Sequence, residues 1–284
     1  MKIDLHVHTL YSDGVYSPEK VADTAIDVGL QAISLTDHDN ILSYKVAQDY
    51  IKEKNLDDKL EVIQGVEINT LYKNYEVHIL GYFMDTENSD FKNLLKTQQN
   101  ARVAQTKEII TLLGKKEGIR IKYEDIQKQV APGGSIGRPH IAKAIANVGG
   151  TSNVIEAYAK YINDSSHVYV PRKTVSPYDA VEIIYGAGGI PVIAHPYDID
   201  IAEKLIKNLM SCGLRGIEAY HRKHSPACVE YFSSMAEELG LIVTGGSDFH
   251  APNALNGQVV LGKNFVPEWI YDKLKNEKRM MDLA

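Results

Sequence analysis

Two hydrophobic rhythms alternate along the chain. Short apolar runs of about four to eight residues, typical of strands, are followed by stretches whose apolar positions recur at helical spacing. Residues 2–7 alternate polar and apolar. Ser17-Pro18-Glu19 reads as a helix N-cap with proline in the first turn, and Val21, Ala25, Ile26 and Leu30 follow on one face. Residues 32–35 predict a buried strand, 43–54 a helix, 60–63 a strand running into Gly65-Val66-Glu67, and 75–83 a fourth strand. From 91 to 164 the pattern turns helical, with no parallel strand. Amphipathic stretches at 91–113 and 138–148 flank a loop at 131–135. The first rhythm then returns: helix 177–185, strand 190–194, helix 202–210, strand 215–220, helix 226–239, strand 241–245, and a last helix from Pro267. Gly186-Ala187-Gly188-Gly189 ends a helix before a strand, the reverse of a dinucleotide fingerprint, and reads as a turn.

About seven strands, each followed by a helix, predict an α/β protein of the (β/α) barrel type. Residues 1–90 and 165–284 would form the barrel. Residues 91–164 would be an inserted, mostly helical subdomain, either a substrate-binding lid or a stabilising decoration.

Composition changes this picture little. With 44% hydrophobic and 24% charged residues in 284, the chain is ordinary for a globular protein. A net charge of −6 argues against long duplex nucleic acid as partner, but not against a small phosphorylated substrate. Two cysteines, Cys212 and Cys228, give neither a CxxC pair nor a disulfide framework. The N-terminus lacks a signal peptide's apolar core, and no apolar run reaches the roughly 18 residues of a membrane span. A cytoplasmic location away from membranes is expected, and the oligomeric state stays open.

The candidate chemistry sits at strand ends. Strand side chains alternate faces, so His6 and His8 point to one side. Alone, such a pair is more often a half-exposed polar stripe than a metal grip. Asp13 follows on the Ser12-Asp13-Gly14 turn. His38 follows the second strand, Glu67 ends the third, His78 lies in the fourth, His195 ends the fifth, and Asp248 and His250 follow the last. Parallel β/α barrels build their sites at the carboxyl ends of their strands, so these residues should converge. Six of the ten histidines and three carboxylates are involved. Nine ligands are too many for one four-coordinate ion. With one carboxylate bridging, they suit two or three divalent cations. Imidazole and carboxylate without thiolate fit manganese, zinc or iron. Three dications against three carboxylates leave the pocket at about +3, which attracts phosphate.

Asp-Leu-His-Val-His at 4–8 with Ser-Asp-Gly at 12–14, Thr-Asp-His-Asp at 36–39 and Gly-Val-Glu at 65–67 resemble the PHP (polymerase and histidinol phosphatase) family. So do His78, Ala-His-Pro at 194–196 and Gly-Ser-Asp-Phe-His at 246–250. The resemblance runs from Met1 to about Asn256 and keeps all nine ligand positions. It implies a distorted (β/α)7 barrel, a trinuclear metal centre and phosphate ester hydrolysis. The insertion with Gly137-Arg138-Pro139-His140, and the later Pro171-Arg172-Lys173, are similar to the branch that includes the nucleoside 3′,5′-bisphosphate phosphatases. Members of that branch remove the 3′-phosphate from adenosine 3′,5′-bisphosphate, and some trim short RNA from the 5′ end. By that resemblance Arg138, His140 and Lys173 hold the nonreacting phosphate. On the residues alone, Arg138-Pro139-His140 also reads as an exposed helix start.

The implied reaction is in-line attack on phosphorus by a hydroxide shared between two metals. Asp4, Asp37 and Asp39 are candidates to orient ligand imidazoles through their other ring nitrogen. His221 and His224, after the sixth strand, are candidates to protonate the leaving alkoxide, or else surface loop histidines. Glu218 ends the same strand and is a candidate to support the site. Three rival readings stay open: a histidinol phosphate phosphatase, a carbon–nitrogen amidohydrolase, and a noncatalytic binding module.

Overall fold

The computed structural model describes residues 1–163, 165–253, 256–264 and 266–283. Its sheet runs in sequence order: β1 (Ile3–Val7), β2 (Ala32–Leu35), β3 (Glu61–Tyr72), β4 (Tyr75–Tyr82), β5 (Ile190–Ile193), β6 (Gly216–His221) and β7 (Ile242–Gly246). The helices are α1 (Pro18–Asp27), α2 (Leu42–Glu53), α3 (Ser89–Leu112), α4 (Tyr123–Gln127), α5 (Arg138–Asn147), α6 (Val154–Ala157), α7 (Pro177–Gly186), α8 (Ala202–Met210), α9 (Pro226–Leu239) and α10 (Trp269–Leu283). The Ser17 side chain caps α1 and Pro18 opens it, as the sequence predicts.

The sheet curls almost into a barrel. Its seam is drawn together just past β7, where Phe249 bridges Val7 and its carbonyl accepts the His8 amide at 2.9 Å. Gly246 permits this approach, since a Cβ there would lie 2.4 Å from the backbone nitrogen of His6. β1 is buried along its whole length. Leu5 enters the main core with Ile63, Ile79, Val192 and Ile217, while Val7 joins a smaller cluster with Val21, Ala25, Ile33 and Leu35. The alternation therefore turns Asp4, His6 and His8 to the barrel interior. They are no half-exposed stripe.

One sequence expectation fails. β3 is not followed by a helix; it continues to Tyr72, turns through Lys73-Asn74 and returns as β4, antiparallel, in register from Gly65–Tyr82 to Tyr72–Tyr75. β4 is antiparallel to β5 as well, while the other pairs are parallel. A two-residue turn can join only antiparallel strands, because a parallel crossover needs a dozen or so residues. Lys73 takes the left-handed conformation, φ 55°, that this turn demands. Glu67, expected to end the third strand, thus sits mid-strand opposite Leu80, and His78 lies mid-strand opposite Asn69.

Between β4 and β5 the described residues are helical or loop. α3 ends in a π-helical turn, Leu113–Glu117. Ile109, Leu113, Ile126, Ile141, Ile145 and Tyr161 form a core separate from that of the barrel. Asp164, the expected end of the insertion, lies outside the described residues. The loop at 131–135 is laced to the barrel end: Ala131 and Ser135 amides donate to Leu10 and Tyr11 carbonyls, and the Asn40 amide donates to Gly133. Cys212 and Cys228 are unpaired. No described helix is long and apolar enough to cross a membrane.

Candidate metal centre

All nine side chains singled out in the sequence meet in one place, with Glu67 at the middle. Its Oε2 lies 2.9 Å from His38 Nδ1, 3.2 Å from His8 Nε2 and 3.4 Å from His6 Nε2. Its Oε1 lies 2.8 Å from His78 Nδ1 and 3.1 Å from His195 Nε2. The two oxygens of one carboxylate thus face two different imidazole sets, the geometry of a bridging ligand. Asp248 Oδ1 lies 3.4 Å from His8 Nε2 and 3.6 Å from His6 Nε2. Asp13 Oδ1 lies 3.2 Å from His250 Nε2 and 3.9 Å from His38 Nε2. Four overlapping groups among the described residues have their donor atoms close enough to hold a cation. They are His8-Asp13-His38-His250, His6-His8-Asp248, His6-Glu67-His195 and His38-Glu67-His78.

The donor set fits divalent ions on local evidence. Asp13 Oδ1, His38 Nδ1 and Glu67 Oε2 are buried without a hydrogen-bond partner. His38 Nδ1 and Glu67 Oε2 approach to 2.9 Å, yet not in hydrogen-bond geometry. An unsatisfied buried polar atom costs about 1–3 kcal/mol, and cations held by the groups above would satisfy them. His6 Nε2 and His8 Nε2 face each other at 3.1 Å, as two donors to one ion would.

A surrounding layer fixes these donors. Glu218, fully buried, accepts from His6 Nδ1 and from the His195 amide, each at 2.9 Å. Asp37 accepts from the Thr9 amide, the Thr9 hydroxyl and the Ser12 hydroxyl, and Ser12 in turn lies 3.2 Å from His8 Nδ1. Asp4 accepts from the Ser247 and Gly262 amides, tying β1 to the segment after β7. Of the three candidate aspartates Asp4, Asp37 and Asp39, none touches a ligand ring directly: Asp37 reaches His8 through Ser12, and Asp39 pairs with Arg102 and accepts from the Asn69 amide. Asp39, His195 and Asp248 hold positive φ angles of 51°, 25° and 51°. Side chains with a Cβ seldom adopt this region, and such strain gathers at functional sites.

Charge follows the same geometry. Burial alone would depress His8, but hydrogen bonds to Asp248 and Glu67 raise it to about 10. Burial is likewise overcome at His78 by Glu67 and Glu76, which raise it to about 9. Burial would raise Asp13, Glu67 and Asp248, but the surrounding imidazoles hold all three well below the usual carboxylate range. At His38 burial dominates and depresses the imidazole.

Beside the cluster, a cleft of about 90 Å³ is lined by Asp13, His38 and His78 together with Arg102, Arg138 and Arg172. Of the three residues expected to hold a nonreacting phosphate, only Arg138 lines it. His140 is buried one turn into α5, and its Nδ1 accepts from the Gly137 amide, closing the helix's own first turn. Lys173 is exposed, and its neighbour Arg172 takes the inward position. Arg102 is only 4% exposed; it ion-pairs with Asp39 at 2.6 Å and also hydrogen-bonds Asn69. Arg102, Arg172, Asn69 and Glu76 escaped the sequence reading. A signal existed for the first: Gln98, Arg102 and Thr106 recur every fourth residue on the buried face of an otherwise apolar-packed helix. Repeated polar residues on a buried helix face imply a polar partner.

On the opposite side, His221 is buried with Nε2 3.4 Å from Asp248 Oδ2. Its Nδ1 accepts the Lys223 amide, so Nε2 carries the proton. His224 is turned differently. Its Nδ1 donates to the Ala219 carbonyl at 2.7 Å, and its ring packs edge-on against His221 and Tyr197.

The sequence matches the PHP domain family over residues 4–170. It is 32% identical over 278 residues to a 5′-3′ exoribonuclease of Haemophilus influenzae, covering 94% of this chain and 98% of that one. It is 30% identical over 254 residues to the 3′,5′-nucleoside bisphosphate phosphatase of Chromobacterium violaceum, covering 88% and 87%. A candidate metal-dependent phosphoesterase from Bifidobacterium adolescentis has the same fold, with a TM-score of 0.84 at 29% identity over 96% and 94% of the two chains. The chain belongs to the PHP family and is a metal-dependent phosphoesterase.

Proposed function

We propose that this PHP phosphoesterase removes the 3′-phosphate of nucleoside 3′,5′-bisphosphates, giving a nucleoside 5′-monophosphate and inorganic phosphate. By the same chemistry it would trim short RNA from the 5′ end. The observation that carries this reading is the three-arginine cleft abutting the cluster. A substrate with one phosphate at the reacting centre and a second beside it would meet both. Guanidiniums fork onto phosphate oxygens, and their charge does not titrate away. Histidinol phosphate bears an ammonium and one phosphate, so it has nothing anionic to offer the arginines. The names of the two relatives above agree in substrate class with this reading.

In this reading His6, His8, Asp13, His38, Glu67, His78, His195, Asp248 and His250 would hold two or three divalent ions, the two oxygens of Glu67 being free to serve more than one of them. Such ions, when bound, supply an attacking oxygen active near neutral pH and positive charge for the phosphoryl oxygens. Manganese, zinc and iron all suit the donors. The chain's own residues do the rest. Arg138 and Arg172 orient the substrate through its second phosphate. Glu218 and Asp37 keep the ligand rings in register. His221 Nε2–H, beside Asp248, donates a hydrogen bond to the leaving ribose oxygen while that oxygen takes its proton from water, and His224 braces it from behind. The helical segment 91–164 serves as the substrate-binding subdomain, since α3 and α5 bring Arg102 and Arg138 to the barrel.

The test is phosphate release by the manganese-loaded protein from adenosine 3′,5′-bisphosphate, adenosine 3′-monophosphate and histidinol phosphate. The bisphosphate should turn over fastest, and His8→Ala or a chelator should abolish turnover. Faster release from histidinol phosphate would overturn the substrate, and full activity after exhaustive demetallation would overturn the metal chemistry.

A further inference from the structure

The arginine cleft already holds an anion of the protein's own. Glu76, on β4, is a carboxylate seated among the groups that would receive a phosphate. Its Oε2 lies 2.6 Å from Arg138 Nη2, while its Oε1 lies 3.1 Å from Asn69 Nδ2, 3.5 Å from His78 Nε2 and 3.7 Å from Arg172 Nη2. This seat is incompletely filled. The nearest Arg172–Glu76 approach is beyond hydrogen-bond length, and Arg172 Nε is buried without a partner. Burial, with Arg102 close by, depresses the Arg172 guanidinium to about 10, the mark of a cation short of countercharge.

Space points the same way. The cleft beside the cluster measures about 90 Å³, far below the ~300 Å³ at which small-molecule pockets begin. Behind Glu76 lies a second hollow of about 230 Å³, lined by Thr70, Lys73, Asn74, Pro171 and Thr174 among others. Glu76, Tyr169 and Arg172 line both. The Glu76 side chain, 34% exposed, stands between the two. With it swung aside, they join into a space near the size a nucleotide needs. Lys73, in the second hollow, offers a cation to the displaced carboxylate.

We propose that Glu76 is a displaceable partition: its carboxylate sits in the seat of the nonreacting phosphate, and a substrate bearing that phosphate evicts it and opens the cleft to the nucleoside. This rests on the bisphosphate reading above and deepens it. A phosphate monoester carries about −1.5 to −2 and three acceptor oxygens, against one charge and two oxygens on Glu76, so it is the better partner for two guanidiniums. A substrate without the second phosphate has nothing to exchange for the carboxylate. Glu76 therefore competes with the second phosphate for its seat, stays in place when the substrate lacks that phosphate, and makes no bond to the reacting phosphorus.

The test compares Glu76→Ala and Glu76→Gln with the wild type, all manganese-loaded, on adenosine 3′,5′-bisphosphate and adenosine 3′-monophosphate. In E76A the KM for the bisphosphate should fall relative to that for the monophosphate, the ratio shifting about tenfold, the worth of one charge-assisted hydrogen bond no longer to be broken. E76Q removes the charge but keeps the shape; it should shift the ratio in the same direction, and it decides the matter if E76A does not fold. A ratio unmoved within about twofold, or moved the other way, would overturn the proposal, because the carboxylate would then merely orient the arginines. Calorimetric titration of adenosine 5′-monophosphate into the metal-free proteins reads the same exchange without turnover. Tighter binding by the variants supports it; equal or weaker binding overturns it. If no protein turns over the bisphosphate while the variants bind adenosine 5′-monophosphate more tightly, the substrate reading fails and the partition stands. If bisphosphate turnover is intact but neither ratio nor binding moves, the partition fails and the substrate reading stands.

Discussion

Glu218→Gln measures how far the centre depends on a side chain outside the ligand set. Glu218 accepts two hydrogen bonds at 2.9 Å, one from His6 Nδ1 and one from the His195 amide, at full burial. Glutamine keeps one acceptor and replaces the other with an NH2 group. Whichever way the amide turns, a donor then faces a donor. One charge-assisted hydrogen bond is lost, about 1.5–3 kcal/mol. The outer partner of a ligating imidazole is typically worth about 10–100-fold in metal affinity. At 1.4 kcal/mol per tenfold this is about 1.4–2.8 kcal/mol, in agreement with the bond count. At saturating metal, a 100-fold weaker site also loses about 2.7 kcal/mol of metal-derived stability. The assay is competition against a chelator of known affinity, with thermal unfolding recorded with and without manganese. The metal-dependent part of Tm should shrink. Affinity within about threefold of the wild type, with an equal metal-induced Tm shift, would refute the claim that Glu218 holds His6 and His195 in position.

Two further outcomes are expected. Arg102→Met leaves the Asp39 carboxylate buried and unpaired, which costs about 3–5 kcal/mol in chemical denaturation. A loss under about 1 kcal/mol would show that Gln98 and the Asn69 amide suffice for Asp39. In the metal-free protein, His8 and His78 titrate near 10 and 9, above the ordinary imidazole value, because carboxylates face them. Both being raised, their contribution to stability is complete below about pH 6.5 and fades as pH climbs through those values. Ion uptake displaces these protons, so manganese affinity should climb between pH 7 and 9 with proton release. Calorimetry in buffers of different ionisation enthalpy reads the released protons, and a pH-independent affinity over that range contradicts the assignment.

The candidate site was legible because its chemistry is tied to local pattern. His6 and His8 share a face through strand alternation alone, and Asp13, His38, His195, Asp248 and His250 fall at or just past strand ends, where a parallel barrel gathers its ligands. Most element boundaries followed from capping residues and periodicity, as at Ser17-Pro18, where the Ser17 side chain caps α1. The β3–β4 hairpin was not legible. Lys73-Asn74 is a weak turn signal, and alternation within each strand is the same whether neighbours run parallel or antiparallel. Of the cleft's three arginines, only Arg138 was given a role from the sequence. Arg172 and Lys173 are adjacent in sequence, and which of them points inward depends on the course of an irregular segment, which no periodicity records.

The sequence by itself determined the donors, their number and the class of ion they suit, because ligand chemistry belongs to residue types and strand order brings them to one end of the barrel. Only the tertiary structure decided that Glu67 faces its two oxygens to different imidazole sets, that Glu218 and Asp37 rather than Asp4 bear on the ligand rings, and that Glu76 sits among the arginines. Those are relations between residues as many as 212 positions apart, as in His6 and Glu218. They are fixed by how the strands pack, and local pattern carries no trace of them.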